Sequence, residues 1–100
     1  MTTEAEVPRE GRPPLRVIAI SHYRRSRAAL GDAPETHRIV AALEESAAHR
    51  PETGTVIPGT IVRILRAGRY GEFPALRLYY AVGGGEVHLL WIEQFDEMEP

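Results

Sequence analysis

The sequence predicts an α+β domain of two layers: a helical hairpin packed on one face of an antiparallel four-stranded sheet, in the order β-α-α-β-β-β. Three observations carry this. Between residues 60 and 95, three runs rich in aliphatic and aromatic residues (IVRILRAG, ALRLYYAV and EVHLLWIEQF) are separated by glycine-containing breaks. Gly83-Gly84-Gly85 joins the last two runs with the positive-φ freedom of a tight hairpin. Ahead of them, residues 21–50 carry helical spacing punctuated by start and stop residues, and a short strand-type run precedes these.

Taken in order, residues 1–14 (MTTEAEVPREGRPP) read as a flexible acidic, Pro-rich arm, with a single domain over 15–100. Pro8, Pro13 and Pro14 block regular structure there, and the absence of an apolar core rules out a secretory signal. Leu15–Ile20 (LRVIAI) is the first strand, placed at an edge of the sheet or between later strands. Ser21 is a candidate N-cap for a helix over His22–Leu30, which crowds Arg24, Arg25 and Arg27 and stops at Gly31. Asp32 is the next candidate N-cap, Glu35 closes a capping box, and Pro34 falls in the first turn, where its missing N–H costs nothing. This helix runs to about His49, with Ile39, Val40, Leu43 and Ala47 on its apolar stripe. Pro51 ends it, and Glu52–Gly59 is loop. The short link between the helices makes them an antiparallel hairpin.

In the last hairpin, Leu76, Leu78, Tyr80 and Val82 share one face, and Arg77, Tyr79 and Ala81 the other. A three-residue loop pairs Val82 with Glu86. That register sets Tyr80 opposite His88, Leu78 opposite Leu90 and Arg77 opposite Trp91. One face is then aliphatic, and the other carries an Arg, a Tyr and a Trp.

One hundred residues bury a modest single core. There is no cysteine, hence no disulfide and no thiol chemistry. No apolar run reaches the roughly 20 residues of a membrane span, so a cytoplasmic, membrane-free protein is expected. All twelve basic residues are Arg. Residues 9–92 hold these twelve against eight acids, a net of +4, while both ends are acidic. A weakly basic body can bind an anion locally but is no general nucleic-acid glue.

No P-loop, dinucleotide fingerprint, HExxH, nucleophile elbow or metal-ligand spacing is present. His22, His37, His49 and His88 are scattered. What remains is a set of arginines, the residue suited to bidentate phosphate contact: Arg63 and Arg66 on or beside the second strand, Arg69 after it, and Arg77 on the third. With Tyr79, Tyr80 or His88 as acid and base, such a cluster on an open sheet face could cleave RNA without metal or cofactor. The bland alternative is a solvated face with Arg stems packed over aromatics.

Several stretches resemble the RelE/ParE superfamily of toxins from type II toxin–antitoxin systems. They are Pro51–Gly59 (PETGTVIPG), the RILR run at 63–66, the LRLYY strand at 76–80 and the terminal GEVHLLWIEQF. With the element order, the resemblance spans Leu15 to about Phe95. It implies a small toxin with a helix pair backing a curved antiparallel sheet, wrapped by a cognate antitoxin. RelE-like members cleave mRNA on the ribosome without metal, and ParE-like members poison DNA gyrase. By position the resemblance matches Arg77, Arg63 and Arg66 to the family's basic strand positions; the chemistry of the residues themselves adds Tyr79 and His88 to the catalytic candidates and offers Arg69 and Trp91 for RNA binding. The chain departs from RelE-like ribonucleases in having no Lys and in ending EQFDEMEP. An acidic end repels a phosphate backbone, so a non-catalytic member that binds a protein is the second expectation. Convergence of the arginines with Tyr79 or His88 favours the nuclease; pairing with Glu72, Glu86 or Glu93 favours binding.

Overall fold

The computed structural model describes residues 13–69 and 71–96. The predicted arm over 1–14 lies outside them apart from the exposed Pro13 and Pro14. In chain order the elements are β1 (Arg16–Ala19), α1 (Ser21–Ala29), α2 (Pro34–His49), β2 (Thr55–Val56), β3 (Val62–Ala67), β4 (Ala75–Gly83) and β5 (Glu86–Phe95). A single 3-10 turn, Pro51–Thr53, links α2 to β2. The α+β two-layer architecture is as the sequence predicts, but the sheet has five strands, in the order β1-β5-β4-β3-β2. The extra strand is Thr55–Val56, within the segment expected to be loop. Only two residues long, it pairs with Ile64 and Arg63, too short for an alternation pattern to reveal. The sheet is antiparallel except at β1, which lies at the edge and runs parallel to β5.

Both helices pack on one sheet face through narrow apolar stripes. On α2 the stripe is Val40, Leu43 and Ala47, spaced i, i+3 and i+7. On α1 it is Tyr23 with Ser26. They meet Leu76, Leu78, Tyr80, Val87, Leu89 and Ile92 of β4 and β5 in one core. Pro34 opens α2 at its first position, as expected, but the cap is Ala33, with no side-chain capping bond. Asp32 lies one residue too early to cap and approaches His37 instead, while Glu35 pairs with Arg38 at 2.6 Å. Ser21 is likewise already helical rather than a cap.

The β4–β5 hairpin differs from the expected register in two places. Its loop has two residues, Gly84 and Gly85, with φ of 61° and 75°, so Gly83 rather than Val82 faces Glu86. Two successive positive φ values make the tightest hairpin turn, whose twist matches that of the strands. A bulge at Leu90 then shifts the pairing again, from Tyr80 opposite Leu89 to Tyr79 opposite Trp91. The apolar pattern requires it, because Val87 and Leu89 keep one parity and Ile92 the other. The two slips add to two residues. Trp91 therefore stays on the face of Arg77 and Tyr79, but Arg77 stands opposite Glu93 and Leu78 opposite Ile92. His88 moves to the open face, opposite Ala81.

Candidate functional site

No described element covers the second face of the sheet. Opposed residues in an antiparallel pair share a face. Ile64 and Arg66 of β3, Arg77, Tyr79 and Ala81 of β4, and His88, Trp91, Glu93 and Phe95 of β5 therefore lie on this open side.

Its centre is the Glu93 carboxylate. Arg77 donates from NH2 to Oε2 at 2.8 Å, the Tyr79 hydroxyl to the same oxygen at 2.9 Å, and the Trp91 indole N–H to Oε1 at 3.2 Å. Three donors from two strands thus meet one carboxylate. Arg77 is held from below by Phe95, with the guanidinium carbon 4.6 Å from the ring centroid. The turn and the bulge together shift β5 by two residues, so Trp91, expected opposite Arg77, faces Tyr79 instead, and Arg77 stacks on Phe95. Arg77 Nε is buried without a hydrogen-bond partner among the described residues. Burial, and then the bond and charge of Glu93, push the Tyr79 phenol above its ordinary value of 10.0. Tyr79 therefore keeps its proton at neutral pH and directs it at Glu93.

The arginines divide. Arg66 stands directly opposite Arg77 on the open face, exposed, with no hydrogen-bond or ion-pair partner among the described residues. Arg63 stands opposite Tyr80, on the helix side. Its guanidinium donates to the carbonyls of Gly54 at 2.9 Å and Glu52 at 3.4 Å, fastening the 3-10 turn and the start of β2. Strict alternation along RILR separates Arg63 from Arg66 by three residues, so they cannot share a face. Arg69 lies in the exposed β3–β4 connection. His88 bonds Glu86 at 3.1 Å. Its partner Ala81 is four residues from Arg77 along β4, about 13 Å at ~3.3 Å per residue. The structure thus gathers Arg66, Arg77, Tyr79 and Trp91, and leaves Arg63 and His88 apart from them. Among the described residues no group of three His, Asp or Glu is placed to hold a metal ion.

Sequence reasoning weighed Glu93 only as a possible partner of the arginines, although it is the hub. The signal was its place on the alternation that carries Trp91. Ser26 was passed over altogether. Its buried hydroxyl donates to the Tyr23 carbonyl at 2.8 Å and accepts the Ile92 N–H at 3.0 Å, tying α1 to β5.

No protein-family profile matches the chain. No curated protein matches it either. Among solved structures it is similar to a chain of the toxin–antitoxin complex RelBE2 from Mycobacterium tuberculosis, with a TM-score of 0.62 and 16% identity over 82% of this chain and 92% of that one. At that identity the likeness speaks for the fold, and the chain has a RelE/ParE-like α+β fold.

Proposed function

We propose that this chain is a cytoplasmic toxin-type component of a toxin–antitoxin pair whose open sheet face grips a protein target. The toxin reading, and a cognate antitoxin as partner, draw on the fold shared with a chain of a toxin–antitoxin complex. The choice of protein binding rests on one observation, the convergence of Arg77, Tyr79 and Trp91 on Glu93. Metal-free RNA cleavage needs a base, an acid and cations open to the phosphate. Here a carboxylate occupies the position a phosphate oxygen would take beside Arg77. Two anions 4 Å apart repel by about 4 kcal/mol at an effective dielectric of 20. Tyr79, held protonated, is no base, and His88 is too far along the sheet to share one phosphate. Trp91, which is 42% exposed, with Phe95 and two arginines has the composition of a protein-binding patch.

The second reading is a ribosome-associated mRNA endonuclease. It is favoured by Arg66 lying opposite Arg77 on one face beside Tyr79. In it Arg77 and Arg66 hold the scissile phosphate, Tyr79 is the acid, and Arg69 and Trp91 bind the RNA.

Induced expression in a bacterium separates the two, with growth and a reporter mRNA followed together by primer extension. The expected result is growth arrest with full-length mRNA, relieved by Trp91→Ala, since a hot-spot aromatic contributes about 2 kcal/mol or more. Rapid mRNA fragmentation abolished by Arg77→Ala would establish the nuclease instead. No growth effect at matched soluble expression would remove the toxin reading.

A further inference from the structure

A groove of about 530 Å³ runs between α1 and β5, and its two walls are of similar length. On the helix side the lining extends from His22 to Leu30, about 12 Å at ~1.5 Å per residue. On the sheet side it extends from Trp91 to Gln94, about 10 Å at ~3.3 Å per residue. The helix wall changes character along its length. His22 and Arg25 stand at one end, and Ala29 and Leu30 at the other. Buried Ile92 and exposed Trp91 add apolar lining from β5.

The polar end carries a charge that is not spent within the chain. Arg25 is exposed and has no acidic partner among the described residues, and α1 itself contains no acid. The Arg25 guanidinium meets His22 Nδ1 at 2.8 Å, a contact that orients it without neutralising it. The one carboxylate in the lining, Glu93, is paired with Arg77 at 2.8 Å and takes further bonds from Tyr79 and Trp91. The groove therefore offers an open positive charge at one end of the helix wall and an uncharged apolar stretch at the other.

We infer that this groove is a binding site for a small amphipathic anion, a single-chain aliphatic carboxylate. The carboxylate lies on Arg25, whose planar fork can meet both oxygens. The chain runs along α1 past Ala29 and Leu30, facing Trp91 and Ile92. The volume is that of ordinary small-molecule sites, about 300–1,000 Å³, which combine a mostly apolar lining with a few placed polar groups. Charge and length together select the class. A cationic head would meet Arg25, a short anion would leave the apolar stretch wet, and a neutral chain would leave Arg25 without a partner. No backbone group of β5 is needed, so the Ile92 N–H stays on the Ser26 hydroxyl at 3.0 Å. The site is independent of the open-face reading, since its ligand lies between helix and strand and requires no protein target.

Trp91 is the one tryptophan of the chain, so its fluorescence reports the groove directly. Purified full chain is titrated at low salt with sodium octanoate, below the concentration at which it forms micelles. Octylammonium chloride (same tail, opposite head) and sodium acetate (same head, no tail) are run beside it, and NMR amide shifts locate the site. Octanoate should change the emission saturably, with the largest amide shifts at Arg25, Ala29, Leu30 and Ile92; the other two probes should not. Arg25→Gln should weaken octanoate binding by about fivefold or more. Ala29→Glu, which sets a carboxylate at an exposed position beside the chain, should abolish it. Arg24→Gln, on the same helix but outside the groove, should bind as wild type. Circular dichroism confirms that each variant folds; if Ala29→Glu does not, Arg25→Gln and the amide shifts decide. Equal binding of octanoate and octylammonium, wild-type affinity in folded Arg25→Gln, shifts elsewhere, or no saturable response to octanoate would each overturn the inference. Growth arrest in cells without octanoate binding would remove this site and leave the open-face proposal standing.

Discussion

Tyr80→Phe isolates the bond that fastens the β2 segment to the sheet. Tyr80 is fully buried in mid-strand, and its hydroxyl has two backbone partners. It donates to the Pro51 carbonyl at 2.7 Å and accepts the Gly54 N–H at 3.0 Å. Pro51 and Gly54 are themselves buried. Removing one oxygen therefore leaves a buried donor and a buried acceptor unpaired, each costing about 1–3 kcal/mol. With some relaxation the total should be about 2–4 kcal/mol, a large share of the ~5–15 kcal/mol available to a domain. For a chain of this size that lowers Tm by roughly 10–30 °C. Tyr79→Phe is the internal control. Its half-buried hydroxyl bonds Glu93, which keeps Arg77 and Trp91, so the loss should stay within about 1 kcal/mol. Urea melts of both variants followed by tryptophan fluorescence make the comparison. A Tyr80→Phe loss under ~0.5 kcal/mol, or one no larger than that of Tyr79→Phe, would refute the reasoning.

The remaining expectations follow from the same contacts. A Cβ on Gly54 would sit 2.3 Å from the Tyr80 hydroxyl oxygen, so Gly54→Ala should cost about 1–3 kcal/mol by displacing it. Because the two sites touch, the double variant with Tyr80→Phe should be less destabilised than the sum, as thermal melts would show. Leu43→Ala, at a buried position facing the sheet, should cost about 2–5 kcal/mol in denaturant melts. Tyr23, Tyr79 and Tyr80 all have phenols raised above 10.0, in each case chiefly by burial and for Tyr23 and Tyr79 also by bonds to Glu44 and Glu93. Raised acids bind protons more tightly folded than unfolded, so their stabilisation is complete below pH 10 and is lost as pH rises above it. Stability measured from pH 8 to 11.5 should fall beyond pH 10, and less steeply in Tyr23→Phe.

Much of the layer architecture was legible in the sequence, because long elements announce themselves through many residues. Val40, Leu43 and Ala47 define the buried stripe of α2, and Leu76, Leu78 and Tyr80 define the buried face of β4, without any tertiary information. Short or local features escaped. Two residues, Thr55 and Val56, show no period, and the bulge at Leu90 moves the partner of every residue beyond it. Its trace was present in the broken parity of Val87, Leu89 and Ile92, which a continuous strand cannot bury on one side. The caps at Ser21 and Asp32 failed because the backbone entered each helix one residue away from where the side-chain chemistry pointed. For the site, alternation alone placed Arg77 with Tyr79. It could equally have separated Arg63 from Arg66, since odd spacing along a strand means opposite faces. What the sequence could not supply was the pairing of Arg77 with Glu93, which depends on the summed effect of a two-residue turn and a bulge.

The open-face proposal meets its most direct test in a cell-free translation reaction. Purified full-length chain is added to a defined mRNA, and primer extension is run at intervals against a no-protein control. Protein binding through a neutralised Arg77 predicts full-length mRNA throughout, with Arg77→Ala and wild type indistinguishable. Truncated products that accumulate only with translating ribosomes, and disappear in Arg77→Ala, would contradict it.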